Sequence, residues 1–339
     1  MLSKKDNFLE TVRGGKPDRF VKQYEGCTMV PGDPVNFYVR GDRHPGMAPK
    51  RDRFGTLILW PEGEPGAVPD PNDKIIHDVE TWKDVLKIPD LIAGADIEED
   101  WAPYLERCAQ VDREETLLMT FAPTGIFERM HFIMGFEDTL MNFLLEPELM
   151  ADLAMALGEY RYNGYKLMVK YAHPDAILSH DDFGSKTQLF VPPDSWREIL
   201  KPAYRKGYDF LHDNGVVIIH HSDSYCDSII EDLVDLHIDV WQGVLPQNDI
   251  PKLQKQLAGR MTLMGGIDAA IVDREDSTEE EIRTEVRRAC DEYAAGGHFI
   301  PCITYGALGT IYPQADKFID DEIDRFNHEH YGTPYEPKE

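Results

Sequence analysis

From Thr116 onward the sequence alternates short apolar runs with longer stretches of helical pattern, joined by short connections. LLMTF (117–121), AILSHDDFG (176–184), VVIIHHSD (216–223), residues 238–244, MTLMGGID (261–268) and HFIPCITYG (298–306) read as strands. Between and after them, residues 148–172, 193–214, 277–297 and 314–330 read as helices. Ser277 is the expected N-cap of the third, with Glu280 in the capping-box position. Strand runs this uniformly apolar belong to a sheet covered on both faces, which means parallel strands with right-handed helical crossovers. Residues 19–24 supply a seventh candidate strand, and an eighth has no clear place. Neither GxGxxG after a first strand nor GxxxxGK[ST] occurs, so both nucleotide-binding fingerprints are missing.

Polar residues stand at the ends of many of these runs: Glu25, Thr124, His180-Asp181-Asp182, His220-His221-Asp223, Trp241-Gln242, Asp268 and Cys302. An open doubly wound sheet gathers its chemistry at one switch point, whereas a closed barrel gathers it around the whole C-terminal rim. The expected fold class is therefore α/β, a closed barrel of parallel strands forming one domain over residues 1–339. Residues 30–75 are rich in Pro and Gly. They open an irregular excursion, about residues 30–110, that reads as a lid or wall because a plain loop is far shorter. His221 and Asp223 are two apart, so in extended backbone they point the same way and form a usable pair of ligands. The same residues also read as a satisfied histidine beside a helix-capping aspartate, because Ser222, Asp223 and Ser224 are all good N-caps.

Charge excludes several partners. With 35 Lys+Arg against 62 Asp+Glu the formal net charge is −27, which repels nucleic acid and anionic lipid. No apolar run approaches the ~18 residues of a membrane span. The N-terminal MLSKKDNFLETVRG is an amphipathic helix with no signal-like core. Five scattered cysteines without a CxxC argue for a reducing cytoplasm.

HDDFG (180–184), HHSD (220–223), GGID (265–268) and GGHFIPC (296–302) together resemble the motifs of the uroporphyrinogen decarboxylase superfamily. The resemblance spans about residues 1–330 and implies a modified (β/α)8 TIM barrel. That superfamily holds decarboxylases and also methyltransferases that move a methyl group to or from a corrinoid cobalt. The decarboxylases carry an arginine-rich N-terminal motif; here the matching stretch is PDRFVKQYEGC, with Arg19 alone, and decarboxylation is set aside. The methyltransferase branch implies zinc on a His-x-Cys pair and a late-strand Cys, which correspond to His221, Asp223 and Cys302. Aspartate in place of one thiolate makes a harder Lewis acid, suited to polarising an ether oxygen. The implied activity is demethylation of an O-methyl compound, such as an aryl methyl ether, by a corrinoid protein acting as partner. Asp182 and Glu25 are the candidate catalytic carboxylates and alternative oxygen ligands. His180, Asp181, His220, Trp241, Gln242 and Tyr305 are the candidate substrate-binding residues. Tyr24, Trp60 and Phe127 are further candidates for an aromatic pocket.

Overall fold

The structure is a computed structural model describing residues 1–63 and 66–337. Seven parallel strands form one curled sheet in chain order: β1 (Cys27–Met29), β5 (Leu117–Ala122), β6 (Ala176–His180), β7 (Val217–His221), β8 (Val240–Val244), β9 (Thr262–Gly266) and β10 (Phe299–Cys302). Six of these lie where the apolar runs put them. The first does not. Residues 22–25 make a turn in which Glu25 N–H donates to the Lys22 carbonyl and Tyr24 has φ of 54°, so the strand starts only at Cys27. The candidate first strand at 19–24 is thereby corrected. Among the described residues the main sheet has no eighth strand.

The period-2 alternation of a strand separates the two faces of this sheet. Val217, Ile219, Leu178, Val240, Met264, Ile300 and Cys302 fill the interior, together with Phe8 and Val12 of the helix Lys4–Val12. That helix plugs the end where the strands begin: Thr262, the first residue of β9, donates its hydroxyl to the Thr11 carbonyl. Ile177, Ile218, Trp241 and Leu263 face outward into the layer beneath the helices. The helix Glu279–Ala294 is capped one residue later than expected. Thr278 and Glu281 form the capping box, while the Ser277 hydroxyl donates to the Ile271 carbonyl.

Side chains, not backbone pairing, bridge β10 and β1. Gln23 donates to the Tyr305 carbonyl at 2.8 Å and Tyr24 to the Gly306 carbonyl at 2.9 Å. Asn327, on the closing helix Gln314–Tyr331, clasps both backbone groups of Phe20. A cavity of about 500 Å³ lies along this seam, lined by Lys22, Glu25, Cys302, Leu308 and Asp316 among others.

The excursion folds into a small antiparallel sheet of β2 (Met47–Arg51), β3 (Leu57–Trp60) and β4 (Val68–Pro69). It packs on the helices Ile126–Met134 and Pro147–Ala172: Phe54 lies edge-on to Tyr160, and buried Asp52 pairs with Arg129 at 2.8 Å. Among the described residues no helix is long and apolar enough to cross a membrane.

Candidate metal centre at the barrel mouth

Strand register assembles the site. His180 pairs with His221 and His221 with Gln242, so three inward-facing side chains sit abreast at the C-terminal ends of β6, β7 and β8. Just past β6, Asp182 comes back over them. The two imidazole rings stack with centroids 4.5 Å apart, and Asp182 Oδ1 lies 3.5 Å from His221 Nε2. One ligand atom each from His180, Asp182 and His221 can be chosen so that all three lie within 4.8 Å of one another.

Hydrogen bonds fix which ring atoms face the centre. Gln242 Nε2 donates to the Tyr305 carbonyl at 2.9 Å, which turns its Oε1 toward His221 Nδ1. An amide oxygen only accepts, so His221 carries its proton on Nδ1 and presents the Nε2 lone pair to Asp182. On the other side Glu128 Oε2 lies 3.0 Å from His180 Nδ1, which frees His180 Nε2 in the same way. Carboxylates and amides behind metal-binding histidines orient them and raise their basicity. Glu128 starts the helix Ile126–Met134, and its Oε2 also accepts the Gly125 N–H at 3.1 Å. Gly125 is required here, because a Cβ would stand 2.1 Å from the Asp181 side chain. Sequence reasoning missed Glu128; the Gly125-x-x-Glu128 capping pattern ahead of an apolar helix was its one available signal.

Burial and neighbouring charge set the protonation states. Burial opposes a charge on His180, but the Glu128 carboxylate outweighs it and carries the imidazole up to about 9. Burial also opposes the Glu128 charge, and His180 reverses that, bringing the carboxyl down to about 2. His221, buried and beside cationic His180, is lowered to about 4 and is neutral. The three donors fit zinc: two imidazole nitrogens, one carboxylate oxygen and room for a further ligand on the half-exposed side of Asp182 and His180.

A zinc ion bound here would displace the proton that makes His180 cationic, whereas His221 is already neutral. Zinc uptake at pH 7.5 is therefore expected to release about one proton per site, because pH 7.5 lies below the His180 value, and the release should fade as pH rises past it. Calorimetric titration in buffers of different ionisation enthalpy measures this. Zinc binding with no proton release at pH 7.5 would remove His180 from the ligand set.

The other expected site residues are placed differently. Asp223 follows the strand end, where the chain turns; its N–H donates to Asp182 Oδ1 at 3.2 Å, and burial and the Asp182 charge push its carboxyl up to about 7. It adjoins the three-residue cluster without joining it. Cys302 projects into the barrel from β10 with the Gln242 side chain as its hydrogen-bond neighbour, and burial holds its thiol well above the usual range. Glu25 lines the seam cavity and accepts the Lys22 N–H at 3.1 Å.

Asp181, His220 and Trp241 are not mouth residues. Their strand positions alternate with those of His180, His221 and Gln242, so they point outward beneath the helices. Asp181 caps the helix Ile126–Met134. His220 bonds Tyr208 at 2.7 Å and stacks on Phe183. Trp241 donates to the Ser222 carbonyl at 2.9 Å. Tyr305 contributes its carbonyl, which holds Gln242. Tyr24 is buried inside the barrel, Trp60 lies on β3, and Phe127 is buried behind Glu128.

Known proteins place this barrel in a family. Among curated proteins none matches the chain. Of solved structures, a methyltransferase from Methanosarcina mazei is similar in fold, with a TM-score of 0.65 at 15% identity over 96% of this chain and 99% of that one. The family model for uroporphyrinogen decarboxylase (URO-D) matches residues 54–315, which include the strands that carry His180, Asp182 and His221. The chain thus belongs to the uroporphyrinogen decarboxylase family.

Proposed function

We propose that this protein is a zinc-dependent methyltransferase that takes the methyl group of an O-methyl compound, an aryl methyl ether, and delivers it to the Co(I) of a separate corrinoid protein. The observation that carries the reading is the His180–Asp182–His221 cluster, with both imidazoles oriented from behind, at the open mouth of the barrel. The likeness in fold to the methyltransferase from Methanosarcina mazei supports it.

Decarboxylation of a many-fold carboxylated tetrapyrrole fits poorly. The cluster contains Asp182 and is flanked by Glu128 and Asp223, and Arg19 is spent on Asp18 at 2.7 Å. An ether is a poor methyl donor. The methyl carbon must meet a strong nucleophile in line, while the C–O bond breaks and its electron pair stays on oxygen. Zinc held by the cluster supplies a Lewis acid for that oxygen. Glu128 and Gln242 keep the two imidazoles in one orientation, so the site needs little reorganisation during the reaction. A phenolate leaves more readily than an alkoxide, which is why the aryl ether is preferred.

The test mixes zinc-loaded protein, a reduced corrinoid protein and anisole-type ethers, and follows the absorbance change from Co(I) to methyl-Co(III). Ether-dependent methylation is the expected result. Methylation of a thiol from methylcobalamin with every ether inert would reverse the direction of transfer, and turnover of uroporphyrinogen would replace the reaction.

A further inference from the structure

A cluster of aromatic rings packs beside the helix that carries Glu128. Directly after Asp182 the chain makes a tight hairpin over residues 183–190. Phe190 N–H donates to the Phe183 carbonyl at 2.9 Å and Ser185 N–H to the Gln188 carbonyl at 2.8 Å. Gly184 permits the turn, since a Cβ there would stand 2.5 Å from the Gln188 carbonyl oxygen. The hairpin returns Phe190 beside the helix that carries Glu128. There Phe190 stacks on Phe127, with centroids 5.9 Å apart and planes within 18°. Phe136 meets Phe190 edge-on at 5.0 Å and His131 edge-on at 5.6 Å.

His131 follows Glu128 by three residues on the helix Ile126–Met134, so the two share one face of it, and Glu128 in turn lies 3.0 Å from His180. The rings thus adjoin the metal cluster. Their outermost member, Phe136, is 41% exposed although three aromatic rings pack against it. Ligand sites join apolar and aromatic walls to a few polar groups, and this ring beside a polar centre offers that combination.

We propose that Phe136 and Phe190, backed by Phe127 and flanked by His131, form the subsite for the aromatic ring of the methyl donor, holding its ether oxygen toward His180, Asp182 and His221. This rests on the aryl ether reading given above and names the residues that make the choice of ring. Edge-to-face and offset contacts favour an arene over a saturated ring of similar size. The subsite therefore selects anisole over cyclohexyl methyl ether.

The experiment is a ligand-observed NMR titration of zinc-loaded protein with each of these two ethers, run without any corrinoid protein. Wild type should bind anisole more tightly. Phe136→Leu and Phe190→Leu keep an apolar side chain and remove the ring, and each should weaken anisole by about 3- to 10-fold, the worth of one aromatic pair. Cyclohexyl methyl ether should change by less than about 2-fold, the amount left when no aromatic pair is lost. Phe136 is at the surface, so its variant should fold normally, which a thermal melt checks. Equal loss for both ethers, no loss for either, or a wild type without preference overturns the proposal. Because binding is read without turnover, anisole bound on these rings in a protein that never demethylates it would sink the reaction and leave the subsite standing. Demethylation that is indifferent to both substitutions would do the reverse.

Discussion

Asp182→Ala and His221→Ala should each abolish stoichiometric zinc and lower ether demethylation by at least about a thousandfold, while Cys302→Ala keeps its zinc. Loss of one of three protein ligands removes a bond, and with Asp182 the metal's charge compensation as well, and a catalytic site with one position already open has no surplus donor. On the proposed reaction, without a Lewis acid the ether oxygen would depart as a bare phenolate, and several kcal/mol of transition-state stabilisation would be lost, at about 1.4 kcal/mol per tenfold in rate. Cys302 is the informative control. The resemblance pairs it with His221, yet Gln242 is hydrogen-bonded to both side chains and keeps His221 Nδ1 engaged. Elemental analysis of the purified variants decides the matter. Zinc lost from Cys302→Ala and retained in Asp182→Ala would restore the set His221, Asp223 and Cys302 and dismiss the cluster proposed above. A Glu128→Gln variant should retain metal with weakened affinity, by about 10- to 100-fold, as outer partners of ligating histidines usually contribute.

Much of this architecture is legible in the sequence because buried parallel strands are short apolar runs and helices carry cap signals. The runs at 117–121, 176–184 and 216–223 became β5, β6 and β7. The alternation within them also carried information that the linear reading passed over. His180 and His221 occupy the same phase of their strands and face inward; Asp181, His220 and Trp241 occupy the other phase and face the helices. Applying the period of two from Val217 onward separates His221 from His220 with no structure at all. Glu128 was harder. It is 52 residues from His180 and meets it only because the helix after β5 starts beside the end of β6. Local pattern contains no such distance. The first strand was misplaced for a local reason: Arg19 to Tyr24 contains the apolar Phe20, Val21 and Tyr24, but Phe20 is tied to Asn327 of the closing helix and Tyr24 adopts a left-handed turn. Cys302 shows the limit from the other side, since facing inward from a strand end does not specify which inward-facing neighbour lies between.

Asp181→Ala should destabilise the fold by about 3–5 kcal/mol and leave the zinc content of the folded fraction intact. Asp181 is wholly buried. Its two oxygens accept the N–H groups of Phe127 and Glu128, each at 2.8 Å, and one also takes the Tyr204 hydroxyl. It therefore supplies the cap of the helix Ile126–Met134, a cap that Gly125 has no side chain to provide. Loss of a cap alone costs about 1 kcal/mol. The larger share comes from the buried donors left without an acceptor, the Phe127 and Glu128 N–H groups and the Tyr204 hydroxyl, at about 1–3 kcal/mol each. Arg161 is buried nearby, its guanidinium donating to the Thr124 carbonyl, the Tyr165 hydroxyl and Ser179 at 2.7–2.8 Å. Burial opposes its charge, while Tyr165, Tyr204, Tyr208 and Asp181 favour it. Asp181 is the weakest of these contributions to Arg161, and burial pushes its own carboxyl up to about 7, so the lost charge adds less than the unpaired donors. For a chain of this size the melting temperature should fall by about 4–7 °C. Asp181→Asn keeps two acceptor–donor contacts but not the charge, and should fall between wild type and the alanine variant. The measurement is a thermal melt beside a KM and kcat determination on whichever fraction remains folded. A raised KM with an unchanged melting temperature would return Asp181 to the substrate-binding residues, because a group that merely holds the helix cannot alter KM while the helix stays in place.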